Sequence, residues 1–293
     1  MYNQIDSNKR KTNILMLLFF VFIVFLGWFF STLYQDFGYS PIIFAVMVSL
    51  IMTLISYYSG DKIALFSAGA KGPITQNDNP YVYRLVENLC LTVGLPIPKI
   101  YVIPDPAMNA FACGRDPKHS SIALTQGIID NLENEELEGV IAHELSHIKN
   151  YDIRLATVII VLVGAVSLLS DWLWRGRIHS SNSNSRNSMS GILFIVGLIF
   201  AILSPLIAKL IQLAVSRKRE FLADASGALM TRYPEGLAKA LEKISLSNIP
   251  VKKVTNATAH LFIASPLKGK KIIGLMATHP PIDERIKILR SMA

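Results

Sequence analysis

Gly139-Val140-Ile141-Ala142-His143-Glu144-Leu145-Ser146-His147-Ile148-Lys149-Asn150 is the stretch on which the rest of the chain hangs. Its two histidines are four residues apart, so on a helix they share one face and can offer both imidazoles to a single point. Zinc is well served by such nitrogen ligands, and Glu144 stands beside the pair, within reach of a water proton. The surroundings read as helix. Asn131 or Asn134 can cap its start, and Glu133, Glu135, Glu136 and Glu138 crowd the first turns, where the helix dipole favours negative charge. Val140, Ile141, Leu145 and Ile148 form the buried stripe. A motif of this kind arises by chance on the order of once in 200 chains of this make-up, so other residues must support it.

With 293 residues the chain has room for one large domain or two ordinary ones. A hydrophobic share of 51% and a mean hydropathy of +0.39 exceed what a simple soluble protein carries and point to membrane segments. Cys90 and Cys113 form neither a disulfide framework nor a CxxC pair, and read as small buried side chains in a reducing compartment. The net charge of +8 is not a nucleic-acid signal. Its basic residues flank apolar runs, as in Lys9-Arg10-Lys11 and Arg217-Lys218-Arg219, where anionic lipid would meet them.

Residues 1–13 are polar and basic, and residues 14–34 then form an apolar run long enough to span a bilayer. The run is too long for the core of a signal peptide, and no small-residue cleavage site follows. A second span covers residues 42–58 and ends in Tyr57 and Tyr58, a pair suited to an interface. Lys9, Arg10 and Lys11, against a turn without Lys or Arg, put residues 1–13 and the chain after residue 60 in the cytoplasm. Residues 60–153 form the first half of the catalytic region. Within it a helix is expected over Pro80 to Val93 and a strand over Lys99 to Ile103. Two more short strands fall near Asn109 to Gly114 and Ser121 to Thr125. The stretch around Phe111 is the best candidate for an exposed sheet edge, to which an extended peptide could add. A second apolar pair, about 155–174 and 192–215, flanks a polar Ser/Asn/Arg-rich loop at 175–191, and residues 216–293 form the second half of the catalytic region.

Catalytic zinc sites commonly have three protein ligands, and the missing one is found in Arg219-Glu220-Phe221-Leu222-Ala223-Asp224. Glu220 could ligate the metal while Asp224 steadies a ligand histidine through its other ring nitrogen. His119, His179 and His260 have no such context. His143 and Glu220 can meet only if the number of crossings between them is even, which two intervening apolar stretches satisfy.

Taken together, the two N-terminal spans, Asn109 to Ala112, Ala142 to His147, the second apolar pair, Arg219 to Asp224 and Thr278-His279-Pro280-Pro281 with Arg285 resemble HtpX. This is a family of bacterial membrane zinc metallopeptidases related to the CAAX prenyl proteases. The resemblance runs in order through nearly the whole chain. It implies a mostly helical, multi-pass membrane protein with four apolar helices and a gluzincin-like metallopeptidase domain containing a small β-sheet. It implies one zinc ion per chain, held by His143, His147 and Glu220, with Glu144 as general base. Asn109, Ala110, Phe111 and Ala112 would form the substrate-binding strand, and His279 or Arg285 would contact the site and stabilise the oxyanion, unless Pro280 and Pro281 with Asp283 and Arg285 simply cap and pin a C-terminal helix. Location in the cytoplasmic membrane follows, with quality-control cleavage of misfolded or damaged membrane proteins linked to stress responses; no partner protease is identified. A prenyl-peptide protease would favour a chamber built from more spans than four. A metal-binding adaptor without catalysis would have no need of Glu144.

Overall fold

The computed structural model describes residues 2–33, 35–179, 216–247, 249–253, 258–264 and 280–292, with residues 2, 3, 33, 35 and 166–179 as backbone only. Helices α1 (Tyr2–Leu33) and α2 (Ser40–Ala68) form an antiparallel hairpin around a short turn. Pro41 sits in the first turn of α2, where no amide donor is needed, and Gly69 closes the helix at a φ of 69°. Close packing is possible because Gly27 has no side chain, and a Cβ there would strike Pro41 and Ala45. Both helices are long and apolar enough to cross a membrane, and only 17% of the most apolar window of each is buried within the protein. Core helices of a soluble protein would be covered.

The polar segment read as a tail continues α1 instead. Asn8 and Thr12 are buried there; Asn8 donates to Asn150 and Asp152, and the Thr12 hydroxyl to the Asn8 carbonyl within the helix. The third apolar run lies within α6 (Asp152–His179), whose first turns place Leu155, Val158, Ile159 and Leu162 in a core shared with α2 and the sheet. An apolar run alone does not distinguish protein neighbours from lipid. Four apolar spans were expected; two helices meet that description among the described residues, and residues 192–215 lie outside them.

Strands β1 (Lys71–Ile74), β2 (Lys99–Ile103), β3 (Ala110–Asp116) and β4 (His119–Thr125) form a mixed sheet in the order β1-β2-β4-β3. β2 and β4 run parallel, and the other pairs are antiparallel. β3 is therefore an edge. Alternation gives the sheet two apolar faces. Ile100, Ala110, Ala112, Ile122 and Leu124 pack in one core with α3 (Pro80–Val93) and α5 (Asn134–Lys149), whereas Phe111, Cys113 and Ala123 face α2 and α6. Both cysteines are free and buried, and burial pushes the Cys90 thiol up to about 12.

Between sheet and metal helix lies the short α4 (Gln126–Asn131), capped by Thr125. Asn131 thus belongs to α4, and neither asparagine caps α5. Its cap is Glu133, in a reciprocal box with Glu136 that satisfies two backbone amides at once. After α6, the described chain continues with α7 (Arg217–Thr231), α8 (Pro234–Leu246) and α9 (Ile282–Arg290). α5 is packed on by β3, α7 and α8, so that eleven of its residues are buried.

Gly139 shows how close this packing is. A Cβ there would lie 2.7 Å from the amide nitrogen of Leu237 and 2.9 Å from its Cα. On an open helix Gly→Ala stabilises by about 1 kcal/mol. Gly139→Ala is expected to destabilise instead, by about 1–3 kcal/mol, read as a lower Tm in thermal unfolding; a raised Tm would show that α5 and α8 are not in backbone contact.

Candidate metal centre

Three acceptor atoms converge between α5 and α7. His143 Nε2 and His147 Nε2 are 3.2 Å apart, and the Glu220 carboxylate oxygens lie 3.8 Å from the first and 3.6 Å from the second. Each histidine has its other ring nitrogen against a carboxylate. His147 Nδ1 is 3.0 Å from Asp152 Oδ2, and His143 Nδ1 is 2.9 Å from Asp224 Oδ1, the latter outside ideal hydrogen-bond alignment. An ionised carboxylate can only accept, so both rings are selected as the Nδ1–H tautomer, and both Nε2 atoms present lone pairs.

That arrangement tests the fit of a metal. Two lone pairs and a carboxylate facing one another repel unless a cation lies among them. Ligand bonds near 2.0–2.2 Å in a tetrahedral shell separate donor atoms by about 3.3–3.5 Å, close to the three distances observed. His143, His147 and Glu220 form the group of potential metal-holding side chains found among the described residues. The donor set fits.

A second ring of residues holds the first. Asp224, 1% exposed, receives both arms of Arg285, Nη2 at 2.7 Å and Nε at 2.8 Å. The remaining Arg285 nitrogen, Nη1, donates to the Ile263 carbonyl at 2.9 Å and lies 3.9 Å from Glu220. Arg285 is fully buried and committed to carboxylate and carbonyl partners, so it orients the ligand set. It also fixes the start of α9, which lies against α7 and α8. On the other side Asp152 accepts from Asn8 Nδ2 at 2.7 Å, and the same amide donates to the Asn150 carbonyl at 2.9 Å. A side chain of the N-terminal helix thus supports the carboxylate that orients His147. Asp152 and Asn8 escaped the reading of the sequence, since contacts across 142 and 144 residues leave no local spacing to detect. Asp152 did carry one signal, as an acidic residue at the start of an apolar helix five residues after a ligand.

Glu144 is 2% exposed, and burial pushes its carboxyl up to about 7, against the pull of His147 and a hydrogen bond from the Ala112 amide. Burial alone would lower His147, but Asp152, Glu220 and Glu144 together lift it to about 9. His143 is lowered, chiefly by burial. Asp224 is held below the ordinary carboxylate range despite its burial, because Arg285 and His143 favour its charged form.

At the β3 edge, Asn109 is buried, with its side-chain amide on the Ala264 carbonyl at 3.0 Å. The Ala110 carbonyl accepts from Ile263 N at 2.9 Å, and the Phe111 ring packs edge-on to Phe262 on the membrane-helix face. The Ala112 amide is the group of this edge that faces Glu144. His119 pairs with Asp116, away from the centre; His260 is buried elsewhere, and the His179 side chain and His279 lie outside the described residues.

Residues 76–293 match the family described as Peptidase family M48. A protein described as "Protease HtpX homolog" from Dictyoglomus turgidum is 44% identical over 291 residues, covering 99% of this chain and 94% of its own. Another of that description, from Tropheryma whipplei strain Twist, is 44% identical over 292 residues, covering 100% and 98%. One from Lactobacillus helveticus is 41% identical over 299 residues, covering all of both chains. Among solved structures, S. mikatae Ste24p has a similar fold, with a TM-score of 0.50 and 19% identity, over 99% of this chain and 67% of that one.

Two measurements check the assignment of the centre. Glu220→Ala should lower metal content after purification, and undiminished content would remove Glu220 from the ligand set. Asp152→Ala should weaken metal binding by about 10- to 100-fold in a competition titration against a chelator, and Asn8→Ala should weaken it less but in the same direction.

Proposed function

The chain belongs to peptidase family M48 and is a metalloprotease; we propose that zinc is its metal and that it cleaves unfolded or damaged membrane proteins at the cytoplasmic face. The observation that carries the mechanism is the position of Glu144, a buried carboxylate one residue along α5 from a ligand histidine and in contact with the edge strand β3 at Ala112. A purely structural metal site has no use for a carboxylate placed there.

Zinc held by His143, His147 and Glu220 would supply a Lewis acid. The protein groups divide the remaining work. Glu144 accepts a proton from the attacking water and returns it to the nitrogen of the leaving amine, a role suited to a carboxyl balanced near neutrality. Asp152 and Asp224 keep both ligand imidazoles in the tautomer that leaves Nε2 free. Arg285 holds Asp224 and lies near Glu220, so we assign it to positioning rather than to direct stabilisation of the oxyanion. An extended polypeptide lying along β3 at Ala112 would bring a peptide carbonyl beside Glu144. On either side of that point the edge is already engaged, the Ala110 carbonyl by Ile263 and the Gly114 amide by the Thr157 hydroxyl, and Asn109 clamps it in place.

The membrane setting narrows the substrate. Only Asn150 and Tyr151 separate α5 from α6, and Asn8 of α1 reaches Asp152 at that junction. The centre therefore lies beside the polar end of the α1–α2 hairpin. Lys9, Arg10 and Lys11 at that end favour the cytoplasmic side. Loops and unfolded segments of membrane proteins are what such a site meets, in keeping with a place in protein quality control under stress.

Glu144→Gln should reduce cleavage of an unfolded membrane-protein substrate in detergent by about 10²- to 10⁴-fold, with zinc content unchanged; wild-type turnover would sink the assignment. Chelation should abolish activity, and added zinc restore it. It should also lower the Tm, because the ion joins α5 to α7 only in the folded state.

A further inference from the structure

A polar cavity opens where the apolar band of the hairpin stops. The continuous band of exposed apolar side chains on α2 runs from Ile43 through Met47, Leu50 and Leu54 to Tyr58, with Phe66 exposed beyond the charged pair Asp61 and Lys62, and that on α1 runs from Trp28 back to Ile14. Gly27 lies against Pro41 and Ala45. In an antiparallel pair of equal rise, Ile14 then falls opposite the Ser56 region. Both bands end at one level, which is that of Tyr57 and Tyr58.

At this level a cavity of about 220 Å³ lies between the end of α2, the β3–β4 hairpin and α6. Lys62, Lys99, Arg115 and Lys118 line it, against the single lining carboxylate of Asp61. Lys62, Lys99 and Lys118 are exposed, and among the described residues none of them forms an ion pair. The Arg115 guanidinium lies 4.9 Å from the Tyr58 ring centroid and 5.9 Å from that of Tyr57, with Nε 3.6 Å from Asp116. Asp116 is shared with His119, at 2.8 Å. Ser121, also in the lining, is 1% exposed, and its buried hydroxyl has no hydrogen-bond partner among the described residues. A buried hydroxyl without a partner is costly, and this one lies beside four cationic side chains.

We propose that the cavity binds the phosphate of an anionic phospholipid headgroup, with Lys62, Lys99, Arg115 and Lys118 supplying charge and Ser121 a hydrogen bond. This rests on reading α1 and α2 as a membrane hairpin. A soluble anion would need only the charge. The lipid source follows from the level, since the cavity begins where lipid-facing apolar surface ends and is bordered by the aromatic pair that marks such interfaces. Acyl chains would run along Leu54 and Tyr58. Because Gly114 and Arg115 end the same strand whose Ala112 faces Glu144, a bound headgroup would steady the substrate edge against the membrane surface.

The test uses the full-length protein in nanodiscs of phosphatidylcholine, alone or with phosphatidylglycerol, and counts retained lipid by native mass spectrometry. Wild-type protein should retain phosphatidylglycerol in preference to phosphatidylcholine. Lys62→Gln with Lys118→Gln should lower that retention by about 30-fold, at about fivefold per lysine near a membrane surface. Ser121→Val removes the hydroxyl without changing net charge, and should lower it too. Lys239→Gln with Lys287→Gln removes equal charge from α8 and α9, which pack mainly against α5 and each other, and should leave it unchanged. Equal retention of the two lipids would overturn the proposal. So would matching losses in both double variants, which signify surface charge alone, or displacement of the lipid by inorganic phosphate at matched concentration, which signifies a free-anion site. Failure to enter neutral nanodiscs would overturn the hairpin reading itself, and the cavity assignment with it. Should Ser121→Val not fold, the exposed lysine pair decides.

Discussion

Two imidazole nitrogens and a carboxylate held 3.2 to 3.8 Å from one another in a buried site are the constraint on which this structure turns. Such a cluster is repulsive by itself, and the low dielectric of a buried site sharpens the repulsion. It can be a stable part of a fold only if its geometry is imposed from outside and a cation is its partner. The imposition is visible in pairs. Asp152 fixes His147 and Asp224 fixes His143; Asn8 fixes Asp152 and Arg285 fixes Asp224. Each imidazole at the centre is therefore backed by a carboxylate, and each of those carboxylates by a donor from a distant part of the chain.

The packing follows from the need to bring α5 and α7 close enough for this to work. Gly227 of α7 lies over the backbone of His143, where a Cβ would come within 3.1 Å of the amide nitrogen. On the other side, Gly139 admits α8. A larger residue at either place would move α5 against its neighbours, and a misplacement of 1 Å is enough to spoil a catalytic geometry. The helix that carries His143, Glu144 and His147 thus has close backbone contacts on two sides and the sheet beside it.

What the sequence disclosed follows the range of the physics involved. The i, i+4 histidines, the Glu144 between them and the Pro80–Val93 and Lys99–Ile103 elements are written in local spacing, and a single chain displays them. Glu220 could be found because a metal demands a third ligand, which converts a distant carboxylate into a specific search. Asp152, Asn8 and the bidentate grip of Arg285 on Asp224 obey no periodicity, and only the folded arrangement brings them together. Glu133 displaced the asparagines as cap because reciprocal bonding with Glu136 satisfies two amides, where a lone side chain satisfies one. The apolar run at 155–174 was ambiguous for another reason. Lipid and a protein core select the same side chains, and hydropathy cannot tell which surrounds Val158 and Ile159.

The hairpin is more than an anchor in this arrangement. An anchor needs only to be apolar and long, yet α1 continues for three turns beyond its apolar run to bury Asn8 and Thr12 beside the metal ligands. Burying an asparagine is costly unless its polar atoms find partners, and here both amide donors find them, in the carbonyl that follows α5 and the carboxylate that orients His147. A displacement of α1 would leave Asp152 without a donor and His147 less firmly held, so the order of the centre is tied to how the hairpin is seated. In a protease this linkage has chemical sense. The order of the cluster formed by His143, His147 and Glu220 is thereby coupled to the seating of the two helices that are apolar enough to enter a membrane.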